Sequence, residues 1–310
     1  MTTAFLFPGQ GSQVPGMGKD LVERFPEARA VYERADRALA ELGLDLSKVS
    51  FEGTEDDLKQ TAVTQPAILT HSIAVFEVLK ARGMSPTIAA GHSLGEYSAL
   101  VAAGALTLED AVVLVRRRGL FMQEAVPAGT GAMSAVIGLD GTSVAAICAE
   151  AAAATGETCS AANFNSPEQT VIAGTAGAVA KAAELLKAKG AKRVLPLPVS
   201  APFHCALMKP AEEKLAPYLR DTCFAALAFP VVTNVDVVPN SDPEVARQSL
   251  LRQVCSPVRW VETGQLLATR AASAVEVGPG AVLAGLLKRI AKEWPVKTTS
   301  DAAGVEKLFA

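Results

Sequence analysis

The segment spanning residues 87–104 constrains the fold more than any other part of the chain. An apolar run at residues 87–90 leads directly into GHSLG, and the helix-forming stretch LGEYSALVAAG follows at once. Glycines on both sides of Ser93 permit a sharp turn, so this serine is predicted to lie between a buried strand and a helix. Further strand-like runs at residues 4–7, 231–234 and 274–277 are separated by helical patterns. The chain is therefore predicted to be an α/β protein with a doubly wound, mainly parallel sheet as its hydrolase-like core.

The middle of the chain follows a different pattern. Strand-like runs at residues 132–139, 159–162, 170–173 and 193–199 alternate with helical patterns at 142–153 and 179–189. The resulting order, β-α-β-β-α-β, is typical of a small ferredoxin-like α+β unit. We expect residues 128–198 to form this inserted subdomain, with residues 1–127 and 199–310 forming the large core.

Composition excludes several classes of protein. Half of the 310 residues are apolar and the formal charge is −3, which favours a globular protein without a nucleic-acid surface. The five cysteines are scattered singly, as in cytosolic proteins, and no cluster has metal-ligand spacing. No signal peptide and no uninterrupted apolar run of membrane-spanning length is recognised, so we expect a cytoplasmic protein without membrane contact.

A serine nucleophile needs a base, and the sequence offers only three histidines. His71 falls on an apolar helical stripe, which favours a core position. His92 precedes Ser93 on a strand, where successive side chains point to opposite faces, so it is badly placed to reach the hydroxyl. Elimination leaves His204, in a proline-containing loop, as the candidate base.

Arg118 stands apart from its neighbours Arg116 and Arg117. Helical geometry places it in the middle of an apolar face that also carries Met122, while the two other arginines point away. A buried guanidinium requires an anion, and that anion could be a structural carboxylate or a ligand. The residues alone leave both alternatives open.

The glycine-rich loop after the first strand, PGQGSQVPGMG, does not have the glycine spacing of a dinucleotide-binding fingerprint. Lys19 is followed by an aspartate, where a Walker loop needs serine or threonine. A backbone donor from this loop near the serine is possible. A second donor is the Leu94 N–H, because it begins the helix whose positive dipole end faces a reacting carbonyl.

Several motifs together resemble the malonyl-CoA:acyl carrier protein transacylase family, namely FPGQGSQ, GHSLGEYSAL, RxxxMQEAVP, NSPEQTVIAG, PFHCALM and EVGPG. The resemblance covers residues 7–289. It implies that Ser93 attacks the malonyl thioester with His204 as base, and that a malonyl-serine ester then passes to the carrier protein in ping-pong fashion. It also implies an oxyanion hole made by the N–H groups of Gln10 and Leu94, and a glutamine, Gln253, that orients the histidine.

The same resemblance assigns substrate contacts and partners. Arg118 corresponds to the arginine that pairs with the malonyl carboxylate, and we expect Gln65, Phe203 and Met122 beside the pocket. The implied substrates are malonyl-CoA and the phosphopantetheine thiol of acyl carrier protein, with no permanently bound cofactor, in the supply of extender units for fatty acid synthesis. We expect a monomer whose carrier protein docks on a basic surface, formed by Lys187, Lys189, Lys192 and Arg193 or by Lys288, Arg289 and Lys292.

Two other functions are compatible with part of this pattern. A serine esterase or thioesterase of the α/β-hydrolase class shares GxSxG, but it is expected to carry an acidic residue at a strand end between the serine and the histidine. No such residue is evident between Ser93 and His204. The second alternative, a non-catalytic docking protein, is disfavoured because Ser93, His204 and Arg118 are all present.

Overall fold

The computed structural model describes residues 2–199 and 201–310; Met1 and Ser200, at the edges of the predicted core segments, lie outside the described residues. The strands of the described residues are β1 (Thr3–Phe7), β2 (Ile88–Gly91), β3 (Gly131–Ile137), β4 (Cys159–Ser166), β5 (Gln169–Thr175), β6 (Arg193–Pro196), β7 (Val231–Val232), β8 (Pro239–Asn240), β9 (Ser273–Glu276) and β10 (Val296–Thr298). The helices are α1 (Lys19–Arg24), α2 (Pro26–Leu39), α3 (Leu46–Glu52), α4 (Glu55–Lys59), α5 (Thr61–Ala81), α6 (Leu94–Ala102), α7 (Leu108–Glu124), α8 (Gly141–Thr155), α9 (Ala176–Ala188), α10 (Lys209–Asp221), α11 (Pro243–Gln253), α12 (Trp260–Arg270), α13 (Val282–Ile290) and α14 (Ala302–Lys307).

The larger sheet has six strands in the order β10-β9-β1-β2-β7-β8. Every pairing in it is parallel except that of β7 with β8. All residues of β2 are buried, as expected for a parallel strand that is covered on both faces. The predicted parallel α/β core is therefore confirmed. The β7 strand is shorter than predicted, because only Val231 and Val232 pair with β2 and the chain then turns away.

The smaller sheet has four antiparallel strands in the order β4-β5-β3-β6. In chain order these are the second, third, first and fourth strands of the unit, which is the ferredoxin-like arrangement. Helices α8 and α9 bury apolar side chains against it. Main-chain hydrogen bonds between Val258 and both Ala162 and Phe164 connect this sheet to the segment that precedes α12. The division of the chain at residues 128 and 198 stays a prediction.

Helix α5 begins at Thr61 and packs along α7. By length and composition alone this helix could span a membrane, yet 94% of its most apolar 18-residue stretch is buried inside the fold. Pro66 removes the hydrogen bond that the carbonyl of Ala62 would otherwise accept. Arg116 of α7 donates to that same carbonyl at 2.9 Å. This contact fixes the two helices that carry Gln65 and Arg118 beside each other.

Candidate active site

Ser93 lies at a strained turn between β2 and α6. Its φ of 52° and ψ of −105° place a non-glycine residue in a rarely populated region, which is typical of functional sites. The turn requires the flanking glycines: a Cβ on Gly91 would lie 1.8 Å from the main chain of Gly95, and a Cβ on Gly95 would lie 2.0 Å from the carbonyl oxygen of Phe7. The serine side chain is thereby presented at the carboxyl end of the parallel sheet.

Ser93 and His204 form a hydrogen-bonded dyad, with 2.7 Å between Oγ and Nε2. The other ring nitrogen, Nδ1, lies 3.0 Å from the carbonyl oxygen of Gln253 and 3.2 Å from that of Ser256. Carbonyl oxygens only accept, so Nδ1 carries the hydrogen and Nε2 is free to accept the serine proton. Burial, helped by the positive charge of Arg118, lowers the pKa of His204 to about 3. The imidazole is therefore neutral at physiological pH.

Arg118 is buried, with 1% of its surface exposed, and it reaches the same hydroxyl. Its Nη2 donates to Ser93 Oγ at 3.1 Å and to Gln253 Oε1 at 3.0 Å, while Nη1 donates to Gln65 Oε1 at 2.8 Å. All of these acceptors are neutral, and Nε has no acceptor among the described residues. Burial lowers the pKa of Arg118. Of the two alternatives left by the sequence, this environment favours an anionic ligand, since no carboxylate among the described residues bonds to the guanidinium directly.

A cavity of about 450 Å³ opens above the dyad. Its lining includes the sequence-predicted residues Gln10, Gln65, Leu94, Met122 and Phe203, together with Ser93, Arg118 and His204. The small sheet forms the facing wall with Met133, Ala135, Asn163, Asn165, Gln169 and Val171. The Leu94 N–H begins α6 without a side-chain cap, so it is available to a ligand in the cavity. One compartment therefore combines a serine hydroxyl, a neutral imidazole and a buried guanidinium, which are groups that nucleophilic transfer of an anionic acyl group could use.

His71 and His92 lie where the sequence placed them. His71 is buried on α5. His92 lines the cavity, but its Nε2 is 2.8 Å from Asn165 Oδ1 rather than bonded to the serine. Across residues 2–199 and 201–310, no group of three or more His, Cys, Asp or Glu side chains is arranged to hold a metal.

Comparison with known proteins agrees with this geometry. A family model described as "acyl transferase domain" matches residues 4–308. The chain belongs to the acyl transferase family. The malonyl CoA-acyl carrier protein transacylase of Escherichia coli (strain K12) is 51% identical over 289 residues, covering 93% of this chain and 92% of that protein. The protein of the same name from Bacillus subtilis (strain 168) is 47% identical, covering 98% and 95%.

Solved structures of similar proteins have the same fold. The crystal structure of an acyl carrier protein S-malonyltransferase from Vibrio cholerae has a TM-score of 0.95 and 47% identity, covering 99% of this chain and 100% of that one. A malonyl-transacylase solved in complex with a type II PKS acyl-carrier protein has a TM-score of 0.95 and 46% identity, covering 99% and 98%. These findings confirm the sequence resemblance, and the chain is an acyltransferase.

Gln253 contacts His204 as the resemblance implies, but through its main chain. Its main-chain carbonyl, not its side chain, accepts from His204. The side-chain amide instead donates from Nε2 to the carbonyl oxygen of Ser93 at 3.1 Å and to Glu96 Oε2 at 2.7 Å. The side chain thus lies between Arg118 and Glu96. The residue therefore binds the His204 ring through its main chain and the Arg118 guanidinium through its side chain.

Sequence reasoning missed two polar residues that support the turn. Asn234 Oδ1 accepts from the Ser93 N–H at 2.7 Å, and Asn234 Nδ2 donates to the carbonyl oxygen of Gly91 at 2.7 Å. Glu96 Oε2 accepts from the main-chain N–H of Asn234 at 3.0 Å. Glu96 had a detectable signal, because it is a glutamate within an otherwise apolar helical stretch. Asn234 follows a short strand in a loop and had none.

Proposed function

We propose that this acyltransferase moves a malonyl group from malonyl-CoA to the phosphopantetheine thiol of acyl carrier protein through a malonyl ester of Ser93. The observation that carries the proposal is the shared hydroxyl: Ser93 Oγ is 2.7 Å from the base His204 and 3.1 Å from the buried guanidinium of Arg118. A nucleophile this close to a buried cation suits an acyl group that carries its own negative charge. The names of the relatives support the same substrates.

The first half-reaction follows from these contacts. His204 Nε2 takes the hydroxyl proton as Ser93 Oγ bonds to the thioester carbon. The carbonyl oxygen becomes negative, and we assign its stabilisation to the N–H groups of Leu94 and Gln10; each such donor is worth about 3–4 kcal/mol in the transition state. Breaking the C–S bond releases the coenzyme A thiolate, which receives the proton from His204. The serine is then left as a malonyl ester.

The second half-reaction reverses the roles of the groups. His204, neutral again, takes the proton of the phosphopantetheine thiol, whose sulfur attacks the ester carbon. The same N–H groups hold the oxyanion, and the C–O bond to Ser93 breaks with return of the proton to its oxygen. Apart from the two substrates, the chain's own residues supply every group that these two half-reactions use, and no permanently bound cofactor is needed. The product serves as an extender unit for fatty acid synthesis.

Arg118 explains the choice of acyl group. A malonyl carboxylate would pair with the guanidinium, whereas an acetyl group would leave a buried cation unpaired, at a cost of several kcal/mol. Phe203 and Met122 would border the acyl chain, and Gln65 would hold the guanidinium in place through its Oε1. The site therefore selects for charge first and for shape second.

A serine hydrolase is the alternative function, and one observation weighs against it. The groups that orient His204 are main-chain carbonyls of Gln253 and Ser256, where a hydrolase triad has a carboxylate.

Intact-protein mass spectrometry tests the proposal. Incubation with malonyl-CoA should add one malonyl group to the wild type and none to Ser93→Ala, and addition of acyl carrier protein should remove the adduct and transfer it. Rapid release of free malonate without transfer would favour the hydrolase. Absence of any adduct, or an adduct retained in Ser93→Ala, would contradict the proposed function.

A further inference from the structure

Glu96 is a buried carboxyl in the first turn of α6, close to the nucleophile in sequence and in space. It is 1% exposed, and the described residues form no ion pair with it. A single oxygen, Oε2, accepts two hydrogen bonds, from the main-chain N–H of Asn234 at 3.0 Å and from Gln253 Nε2 at 2.7 Å. Burial of a carboxyl costs free energy of folding unless the group is hydrogen-bonded. The two hydrogen bonds that Glu96 accepts therefore indicate its role.

The contact with Gln253 fixes the orientation of that amide. Its nitrogen donates to Glu96 Oε2 and to the carbonyl oxygen of Ser93, so both hydrogens are used. The amide oxygen must then face Arg118, where it accepts from Nη2 at 3.0 Å. Loss of the acceptor at position 96 would free the amide to rotate, and Arg118 would then lose the fixed position of one of its three acceptors, Gln253 Oε1.

The contact with Asn234 reaches the nucleophile. Glu96 accepts a hydrogen bond from the main-chain N–H of Asn234. The Asn234 side chain in turn accepts from the Ser93 N–H and donates to the Gly91 carbonyl oxygen, which stabilises the turn. Because Gln253 lies between Glu96 and Arg118, the carboxyl orients the amide that binds the guanidinium and does not itself pair with the guanidinium. The positive charge of Arg118 is thereby kept for an incoming anion.

We propose that Glu96 is a positioning residue for acyl-group selection, holding Gln253 and Asn234 so that Arg118 and Ser93 meet the substrate carboxylate and carbonyl together; this inference rests on the proposed function. What matters is the acceptor oxygen. Both hydrogen bonds end on one oxygen, so a neutral amide oxygen at the same place can serve. This distinguishes a positioning role from a need for negative charge.

The test measures loading of wild type, Glu96→Gln and Glu96→Leu with malonyl-CoA and with acetyl-CoA, with kcat and KM separated. Glu276→Gln is the matched control, because Glu276 is also a buried carboxyl that accepts two main-chain N–H bonds, at the start of α13. Glu96→Leu should lower malonyl loading by about tenfold or more, the usual effect of removing a partner of a charged hydrogen-bonded network, and acetyl loading by much less. Its KM for malonyl-CoA should rise.

Glu96→Gln should keep the malonyl-over-acetyl preference within about threefold of wild type, since the acceptor is retained. Glu276→Gln should leave the preference unchanged. An unchanged preference in Glu96→Leu, or a Glu96→Gln variant as impaired as Glu96→Leu, would overturn the inference while leaving wild-type transfer intact. A wild type that loads no malonyl would instead overturn the proposed function.

Glu96→Asp covers the case in which the leucine variant does not fold. It keeps the charge but withdraws the acceptor by one methylene, and its preference for malonyl should also fall. A wild-type preference in this variant would contradict the proposal.

Discussion

Strands β2 and β9 flank β1 in the parallel sheet, and each leads to a helix that starts near its carboxyl end, yet the two helix starts are used differently. At the end of β9, the carboxylate of Glu276 accepts the N–H groups of Leu283 and Ala284 at 3.0 and 2.8 Å. At the end of β2, the start of α6 has no side-chain cap and lines the cavity. One helix start is capped by a carboxyl of the chain itself, and the other is open to a ligand.

The surroundings of each end fit this difference. Glu96 lies beside the open end but bonds to Asn234 and Gln253, so it does not cap the helix. Arg118 adds a positive charge there, and its acceptors in the described part of the chain, Gln65, Ser93 and Gln253, are neutral. Among the described residues, a carboxyl thus caps the helix start at the β9 end and none caps the one at the β2 end, where the proposed function expects the substrate's anion. A buried charge without an oppositely charged neighbour in the fold is thus a candidate site for a charged ligand.

The largest expected effect comes from removing the cation at the open end. Arg118→Ala should lower malonyl loading about a hundredfold more than acetyl loading, because the variant lacks the proposed partner of the malonyl carboxylate. Loading rates with the two coenzyme A esters measure this ratio. Arg117→Ala is the matched control, since Arg117 stacks on the ring of Tyr218 at 4.0 Å and does not line the cavity. Equal losses with both esters in Arg118→Ala would make the arginine structural.

The smaller effect comes from the capped end, and it concerns stability. Burial raises the pKa of Glu276 from 4.5 to about 7. Between these values the folded protein binds more protons than the unfolded chain, so the wild type loses stability as the pH rises. The variant Glu276→Gln does not titrate there. The advantage of wild type over the variant should therefore shrink from pH 4.5 to pH 7, by up to roughly 3 kcal/mol, and then level off.

Denaturant unfolding of both proteins at a series of pH values measures this difference. The malonyl-over-acetyl preference should be the same in both, because Glu276 is not among the residues that line the cavity. An advantage of wild type that grows with pH would show that the capping bonds outweigh burial for this carboxyl. A changed acyl preference in Glu276→Gln would contradict the claim that the end of β9 has a structural role and the end of β2 a functional one.

Much of the fold was predictable because it depends on local patterns. Buried parallel strands appear as continuous apolar runs, and GHSLG can form its turn only with glycine at positions 91 and 95, where a Cβ would collide with main chain. The burial of Arg118 followed from helical periodicity alone. The bounds of the inserted unit were predicted from its strand and helix order, and they stay a prediction.

The support of the site was less predictable, and the reason is physical. His204 is oriented by main-chain carbonyls, which every residue possesses, so no side chain marks that role. Asn234 reaches Ser93 only because β7 pairs with β2, a contact between distant segments of the chain. Glu96 was visible as a charge in an apolar helix, but its partners could be identified only in three dimensions.

The structure of the enzyme with malonyl bound to Ser93 tests the proposed mechanism most directly. Crystals exposed to malonyl-CoA without carrier protein should show an ester on Ser93 Oγ, with its carbonyl oxygen about 3 Å from the N–H groups of Leu94 and Gln10. The distal carboxylate should lie against the guanidinium of Arg118. An ester whose carbonyl points away from the start of α6, or whose carboxylate extends into solvent while Arg118 keeps its neutral partners, would contradict the account.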